Sequence, residues 1–468
     1  MPEEPSDSSE ADGIDATTAE AWAALGGRPA LARGVTYSTA GDVLAARLPV
    51  RNMARATVGV CSLAAAELLA TRDGTPDLPS VRVRESAVAT AFVSERLSRV
   101  DGEEPVTFAP LSRFWRTADG WVRTHANYPH HRERLLRVLG IGDDPDPERV
   151  ARLVAEELRT RSAVAVREAV YAGGGLAVAV AARPCLAPRP LVEFSRWGRP
   201  VPLGLPSARL PAEGVKVLDL TRVIAGPVGT RTLALLGADV LRVDAPWLEE
   251  SPGAHADTGM GKRSASLDLA SKAGRRTFRD LLGAADVVIT GYRPGALEKF
   301  GVSAEAMLAE HEGLVVAELC AWGWDGPWAG RRGFDSLVQA ASGIAAIESP
   351  GEGKPGALPA QALDHGTGYL LAAAVLRALT ERAERGGGLA RLSLAGTAYW
   401  LMHGIARTEP GKGSYDEGTW LAERPSALGA LRYALPPVSY DGAPADWARP
   451  PTPWGGDDPV WRDQAVAI

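Results

Sequence analysis

The sequence predicts an α/β protein with a doubly wound parallel sheet and a smaller α+β domain, and three observations lead to this fold class. Residues 215–220, VKVLDL, form a nearly continuous apolar run, which is typical of a parallel strand buried on both faces. Further apolar runs follow at 238–244, 286–290 and 313–319. Helical patterns separate these runs, and this alternation is characteristic of βαβ units.

Changes in composition divide the 468 residues into five predicted segments. Residues 1–35 are acidic and are expected to form a disordered tail. Residues 36–110 are mainly helical, and residues 111–205 form the small α+β domain. Residues 206–404 form the Rossmann-like α/β domain, which a stretch rich in Pro and Gly precedes. Residues 405–468 are rich in Pro and Trp without periodicity, so we expect extended segments there.

The first half of the chain is predicted to be mostly helical. Its periodicity indicates helices at 41–72, 131–140 and 143–158. Residues 81–92 begin as an alternating strand and then become helical. Residues 114–125 are predicted to form a hairpin, because an Asp-Gly turn dipeptide lies between aromatic and β-branched flanks.

The second half supplies the helices that connect the predicted parallel strands. We expect these helices at 228–236, 275–285 and 303–311, followed by a long apolar helix at 360–382. A further strand is predicted at 389–394. The order of these elements supports a sheet that is covered by helices.

Charge and cysteine content exclude several classes of protein. The chain carries 51 Lys and Arg against 57 Asp and Glu, and its net charge of −6 gives no global attraction for nucleic acid. Three cysteines without a CxxC pair indicate a reducing compartment and neither a disulfide framework nor a Cys-based zinc site. The N-terminus lacks a leader pattern, and no uncharged apolar stretch of about 18 residues is present. We therefore expect a cytoplasmic protein without a membrane or nucleic-acid partner.

Three histidines, His125, His130 and His131, lie close together in the sequence. A metal site would need a further ligand in convergent geometry, and their spacing matches no metal motif. We predict that they lie at the start of a surface helix and that the protein has no metal site.

Several groups near the predicted strand ends are suited to an anionic ligand. The strand–turn–helix at 214–230 presents a helix N-terminus, although it is neither a GxGxxG nor a Walker motif. Lys262 and Arg263 form one basic pair, and Tyr292 and Arg293 lie in a loop directly after a strand. Ligands of open α/β sheets bind beyond such strand ends, where cations suit phosphate and a tyrosine can stack on a purine. The alternative is an ordinary turn with solvated surface charges.

Two aspartates stand at predicted helix starts. Asp364 precedes the Gly-flanked His365 and a long apolar helix. It either caps that helix or acts as a carboxylate nucleophile beside glycines that admit a substrate. His365 orients the carboxylate or simply packs. Asp335 is interpreted as the N-cap of the helix that it begins, within residues 331–343, and the alternative is a catalytic role.

Six segments, in this order, resemble family III CoA-transferases, the CaiB/BaiF family. They are VLDLTRVIAGP, LGADVLRVDAP, GKRSASLDL, ADVVITGYRPGALEKFG, GFDSLVQAASG and ALDHGTGYLLAAAVLRAL, and they cover roughly 214–400. The resemblance implies that 206–404 is a CoA-binding catalytic domain. It implies transfer of CoA between an acyl-CoA thioester and a small carboxylic acid, with CoA as substrate and carrier and no permanently bound cofactor.

The resemblance also assigns residues. Asp364 matches the nucleophile that forms an acyl–aspartyl anhydride and then an aspartyl–CoA thioester. The positions that match CoA contacts are Arg222, Val223, Ala225, Leu267, Tyr292, Arg293, Lys299 and Arg332. Supporting roles are expected for Lys262, Arg263, Asp335, His365, Gly366 and Gly387, the two glycines as donors of backbone N–H groups to oxyanions.

Departures from the family pattern leave alternatives open. Phe334 stands where the racemase branch has a proton-transferring histidine, which argues against racemase chemistry. Asp244 and Gly291 replace the usual Glu and Asn of the family. The alternatives are an isomerase, racemase or intramolecular CoA-transferase of the same family, and a non-catalytic acyl-CoA-binding protein.

The order of the segments is a further departure. In the family the α/β unit comes first, whereas here the small-domain-like segment precedes it. Residues 59–72 resemble 368–382, and 55–92 is interpreted as a degenerate copy of the catalytic helix and its following strand, with Ala56 at the position of Asp364. This suggests a permuted or fused-duplicate chain. Family members form homodimers, so a homodimer and an internal pseudo-dimer are both open.

Overall fold

The N-terminal unit is helical with a small parallel sheet. The computed structural model describes residues 14–202, 206–409 and 411–465. The unit comprises α1 (Ala16–Ala24), β1 (Val35–Ser38), α2 (Val50–Asp73), β2 (Val81–Arg84), α3 (Glu85–Ala91), α4 (Ser94–Leu97) and β3 (Arg99–Val100), with β1 paired parallel to β2. The strand-then-helix prediction for 81–92 is confirmed, and the helix predicted at 41–72 begins only at Val50.

The disordered tail predicted for residues 1–35 is wrong from residue 14 onwards. Helix α1 is capped by the Asp15 carboxylate, which accepts hydrogen bonds from the Thr18 N–H at 2.8 Å and its hydroxyl at 2.7 Å. Trp22 of α1 is completely buried, so apolar contact holds this helix against the rest of the protein. The first 13 residues lie outside the described residues.

The segment predicted as a small α+β domain follows, and its buried apolar residues form a separate cluster. It contains β4 (Phe114–Arg116), β5 (Trp121–Thr124), α5 (Pro129–Leu139), α6 (Pro147–Arg159), α7 (Ala163–Ala172) and β6 (Ala177–Ala179), and its three strands form an antiparallel sheet. The predicted hairpin and both predicted helices are present. Helix α5 ends at Gly140 in the left-handed conformation, as the sequence indicates.

The α/β unit is built on a seven-stranded sheet. Its elements are β7 (Glu193–Trp197), β8 (Lys216–Leu220), α8 (Ala225–Leu235), β9 (Asp239–Asp244), α9 (Pro252–Thr258), β10 (Arg263–Ser266), α10 (Lys272–Leu282), β11 (Val287–Thr290), α11 (Ala304–Glu310), β12 (Val315–Cys320), α12 (Asp335–Ser342), α13 (Ile344–Ile347), α14 (Ala362–Arg385), β13 (Gly387–Ser393) and α15 (Leu394–His403). The strand order is β10-β9-β8-β11-β12-β13-β7, and only β7 runs antiparallel to its neighbour.

The turn between β8 and α8 is fixed by a buried charged residue. Asp219 is completely buried and accepts hydrogen bonds from the Thr221 N–H at 2.9 Å and the Thr230 hydroxyl at 2.6 Å. The Lys262 ammonium lies 3.1 Å from the same carboxylate. These contacts satisfy the buried charges and hold the start of α8 in place.

Helices α2 and α14 pack side by side beneath the sheet, and almost every residue of each is buried. Arg377 of α14 forms buried ion pairs with Glu67 of α2 and with Glu381. By length and composition α2 is apolar enough to cross a membrane, but it lies inside the protein here. A core helix of a globular protein passes the same test.

The C-terminal segment adds one unpredicted hairpin and then runs along the α/β unit. Strands β14 (Leu421–Ser426) and β15 (Gly429–Ala434) pair with each other, β15 also pairs with β3, and α16 (Arg462–Ala465) follows. Between β15 and α16 the chain is extended, as predicted. Trp461 is completely buried and donates from Nε1 to the Leu281 carbonyl at 3.0 Å, which anchors this segment.

Candidate active site

One cleft lies beyond the carboxyl ends of six strands. Its volume is about 670 Å³, and residues immediately after β8, β9, β10, β11, β12 and β13 line it. This is the position at which open α/β sheets bind ligands. The cleft brings together Asp364 and all of the residues matched to CoA contacts: Arg222, Val223, Ala225, Leu267, Tyr292, Arg293, Lys299 and Arg332.

Asp364 is a buried residue of the wall of this cleft. It is the third residue of α14, with only 5% of its surface exposed, and its main-chain N–H donates to Asp335 Oδ2 at 3.0 Å. Asp335 is completely buried, is the first residue of α12 and also accepts a hydrogen bond from Gln339. Phe334 occupies the N-cap position, so the interpretation of Asp335 as the cap is wrong.

A third carboxylate comes from the N-terminal unit. Glu95 of α4 lies with Oε2 3.1 Å from Nε2 of His365, whose ring is fully buried and stacks on Phe92 at 5.3 Å. His365 therefore pairs with Glu95 and is absent from the cleft wall. Glu95 is distant from Asp364 in sequence, and nothing in its local pattern indicates this contact.

The surroundings of Asp364 disfavour its charged form. Burial, and after it the negative charges of Asp335 and Glu95, raise the pKa of Asp364 well above its usual value. Burial also raises the pKa of Asp335 to about 6, although hydrogen bonds to its carboxylate oppose the shift. Asp364 is therefore a more basic carboxylate than a solvated aspartate. Any reaction that converts it to a neutral ester-like group removes this repulsion.

The turn after β8 holds a strained residue against the cleft. Val223 has φ +72°, a left-handed conformation that costs a β-branched residue about 1–3 kcal/mol. Its N–H donates to Glu250 Oε2 at 3.1 Å. Glu250 also accepts from Arg222 Nη2 at 3.1 Å and from the Tyr128 hydroxyl at 2.5 Å. Glu250 thus ties the predicted CoA contacts Arg222 and Val223 to the small domain, and sequence reasoning missed it.

The cations of the cleft fall into two groups. Arg222 is paired with Glu250 and Arg331 with Glu168. Arg293, Lys299 and Arg332 are exposed and have no carboxylate partner among the described residues. The second group leaves positive charge available for an anionic ligand.

All six expected supporting residues lie outside the cleft wall: Asp335 and His365, described above, and Lys262, Arg263, Gly366 and Gly387. Lys262 pairs with Asp219 below α8, and burial lowers its pKa to about 8. Arg263 of β10 pairs with Asp239 of the neighbouring strand β9. Gly366 faces Met53 and Thr397, and Gly387 packs on the backbone of Leu314. None of these side chains or backbone groups lines the cleft.

The prediction that the three histidines lie on a surface helix is wrong for two of them. His125 and His131 are 5% and 4% exposed, and burial lowers the pKa of each to about 3. His125 stacks on Phe334 with ring centroids 3.8 Å apart. His130 and His131 line the cleft. In the described part of the chain, no group of three or more His, Cys, Asp or Glu is arranged to hold a metal ion.

Comparison with known proteins identifies the class to which this arrangement belongs. Residues 212–439 match the model of CoA-transferase family III. This segment therefore belongs to CoA-transferase family III, as its six motifs suggested.

Individual relatives agree with this assignment. The chain is 35% identical over 232 residues to the acetyl-coenzyme A transferase nodX of Hypoxylon pulicicidum, covering 48% of this chain and 38% of that protein. It is 32% identical over 199 residues to the mouse succinyl-CoA:glutarate CoA-transferase, covering 38% and 44%. The chain spans about half the length, or less, of these relatives.

Solved structures were also compared. The protein Rv3272 of Mycobacterium tuberculosis matches with a TM-score of 0.40 and 32% identity, covering 42% of this chain and 58% of that one. A CaiB/BaiF family protein of Brucella suis matches with a TM-score of 0.36 and 27% identity, covering 45% and 60%.

Proposed function

We propose that the protein transfers CoA from an acyl-CoA thioester to a small carboxylic acid, with Asp364 as the nucleophile. The observation that carries this proposal is the single cleft in which a buried aspartate at a helix start meets all of the residues matched to CoA contacts. Most of the residues that line the cleft lie within the family III segment 212–439, which spans 228 residues.

The chemistry proceeds in balanced exchanges. A carboxylate oxygen of Asp364 attacks the thioester carbonyl, the C–S bond breaks, and CoA leaves as a thiolate while an acyl–aspartyl anhydride forms. The thiolate attacks the Asp364 carbonyl of the anhydride and releases the first acid, which leaves an aspartyl–CoA thioester. The acceptor carboxylate attacks that thioester, and the regenerated thiolate takes the acceptor acyl group from the new anhydride. Asp364 is restored.

The raised pKa of Asp364 fits this cycle. A carboxylate whose charge is disfavoured by burial and by Asp335 and Glu95 is a stronger nucleophile, and acylation removes the unfavourable charge. The covalent intermediates are thereby brought closer in free energy to the resting state.

The test is to trap the covalent intermediate. The protein is incubated with a panel of acyl-CoA thioesters, quenched with hydroxylamine and digested, and the peptide that contains Asp364 is analysed by mass spectrometry. We expect a hydroxamate on Asp364, with none in Asp364→Asn, which keeps the size of the side chain. Unchanged transfer by Asp364→Asn would refute the proposal. CoA binding without any adduct would favour the non-catalytic binding protein.

One observation favours transfer over racemisation or isomerisation. Proton transfer at the α carbon needs a base with a suitable pKa. Phe334 occupies the position of the racemase histidine, and the histidine stacked on it, His125, has its pKa lowered to about 3 by burial.

We also infer the cellular location of the protein, its internal duplication and the type of its sheet. Cys61, Cys185 and Cys320 are free thiols, which supports a cytoplasmic location. Helix, strand and helix follow one another both at α2–β2–α3 and at α14–β13–α15, which supports a fused duplication and an internal pseudo-dimer. Alternate residues of the parallel strands contact two separate cores, which supports a doubly wound, Rossmann-like sheet.

A further inference from the structure

We propose that helix α5 of the small domain supplies Arg134 and His130 to a phosphate site that holds CoA against Arg293 and Arg332 of the α/β unit. This inference rests on the proposed function, because it names further contacts of the same ligand. The helix precedes the family III segment 212–439 in the chain, so none of the matched motifs includes it.

The structure places His130 and Arg134 on one helix face and in the same cleft wall as Arg293 and Arg332. His130 and Arg134 are four residues apart on α5, so their side chains share a face. Both line the cleft, as do Arg293 and Arg332 on the α/β side. Arg134 Nη1 donates to the Gly174 carbonyl at 3.1 Å, which positions the guanidinium.

The charges of this cluster are not balanced by the protein. In the described ranges of the chain, no carboxylate lies within ion-pair distance of Arg134, Arg293 or Arg332. Burial, followed by the positive charges of Arg293 and Arg134, lowers the pKa of Arg332, and burial with Arg134 and Arg332 lowers the pKa of His130. The groups are therefore close enough to repel one another, and a bound anion would remove that repulsion.

An unpartnered buried atom supports a ligand at the same place. His131 lines the cleft, and only 4% of its surface is exposed. Its ring centroid lies 4.1 Å from that of His130. Its Nδ1 has no hydrogen-bond partner among the described residues. A buried polar atom without a partner is unfavourable, and a ligand oxygen would satisfy it.

The anion fits a phosphate of CoA better than a carboxylate of the acyl group. Arg293 and Arg332 are exposed residues of the cleft wall, whereas Asp364 in the same wall is buried. In CoA, the phosphopantetheine arm separates the thiol from the phosphates. A thiol near Asp364 therefore leaves the phosphates for the exposed arginines. Arginine side chains also match phosphate oxygens with two parallel hydrogen bonds.

The test compares binding of two ligands to three forms of the full chain. Calorimetry measures the Kd of CoA and of 3′-dephospho-CoA for the wild type, Arg134→Met and Arg137→Met. Arg137 lies on the same helix but pairs with Glu133 in solvent, which makes it a matched control. We expect Arg134→Met to weaken CoA binding about tenfold or more and Arg137→Met to change it less than twofold.

The second ligand identifies which phosphate is bound. A smaller loss with 3′-dephospho-CoA assigns the 3′-phosphate, and an equal loss assigns the pyrophosphate; both support the proposal. Wild-type affinity for CoA in Arg134→Met would overturn it, as would a loss confined to kcat/KM for acids with a second carboxylate. If Arg134→Met does not fold, His130→Gln replaces it, with an expected loss of about threefold. Failure of the wild type to bind CoA would instead refute the proposed function.

Discussion

Asp364 stands between two acids that come from different parts of the chain. Asp335 precedes it by 29 residues and Glu95 belongs to the N-terminal unit, yet both raise its pKa. A carboxylate with an elevated pKa is protonated over a wider range of acidic pH, and only the ionised form attacks a thioester. For the proposed CoA transfer, the pH at which activity appears is therefore expected to report on these neighbours.

Replacement of Glu95 by Gln is expected to move the acidic limb of the pH profile to lower pH. The amide removes one negative charge near Asp364 and lowers the pKa of that residue, while it retains a hydrogen-bonding group for His365. We expect the acidic limb of the kcat profile for CoA transfer to move to lower pH, because one of the charges that raise the pKa of Asp364 is removed. The measurement is initial rate against pH at saturating substrates.

The matched control for this experiment is Glu104→Gln. Glu104 is exposed and pairs with Arg99, so its replacement is expected to leave the profile in place. A displacement of equal size in both variants would show that the effect is one of net charge. An unmoved profile in Glu95→Gln would contradict the electrostatic role of Glu95.

The motifs that carry the family resemblance assigned Asp364 and Arg332, whereas contacts between distant parts of the chain were missed. The structure brings both residues to one cleft beyond the carboxyl ends of the parallel strands, and their roles stay predictions. Glu95, Glu250 and Arg134 could not be placed. Each acts through packing between units that are separated by many residues, and that packing leaves no periodic pattern in the sequence.

At the scale of elements, apolar continuity determined which strands could be predicted. Strands β8, β9, β11, β12 and β13 were expected because their residues are mostly β-branched or apolar. Strand β10 has the sequence RSAS, and β7 has EFSRW at the antiparallel edge. Their partners, rather than their own composition, hold these two strands in the sheet.

The contact between α8 and α14 links the core to the cleft. The two helices approach closely where Gly229 meets Gly368, so that a Cβ on Gly368 would lie 2.5 Å from the Ala225 carbonyl. Ala225 lines the cleft at the first turn of α8. The glycines therefore position the turn against which CoA is proposed to bind.

Substitution of Gly368 by Ala is expected to lower both stability and CoA affinity. The added methyl group must push α8 away from α14, at a cost of about 1–3 kcal/mol in the free energy of unfolding. Because Ala225 would move with α8, the Kd for CoA is expected to rise several-fold. Urea unfolding followed by circular dichroism and calorimetry with CoA measure the two effects.

Gly283→Ala provides the control for this substitution. Gly283 ends α10 with φ −60°, and a Cβ there would meet no atom closer than 3.6 Å. We expect a change in unfolding free energy within about 1 kcal/mol and no change in CoA affinity. Equal behaviour of the two variants would rule out the close helix contact as the cause.

On the scale of the whole molecule, the N-terminal unit covers the helix that carries Asp364. Helix α2 lies along α14, Glu67 pairs with Arg377 across the contact, and Glu95 reaches the site from the following short helix. The C-terminal segment then runs over the far strands and buries Trp461. Contacts within the chain therefore cover most of α14.

This arrangement leads us to expect a monomer with one CoA site per chain. Nearly every residue of α14 is buried by contacts within the chain, and an apolar helix face that is already covered gives no driving force for a homodimer. Light scattering during gel filtration should give a mass near 49.2 kDa at every concentration tested. Calorimetry with CoA should give one site per chain. A dimer of twice this mass that persists on dilution, or one CoA bound per two chains, would contradict the internal pseudo-dimer, because either result requires a second chain to complete the site.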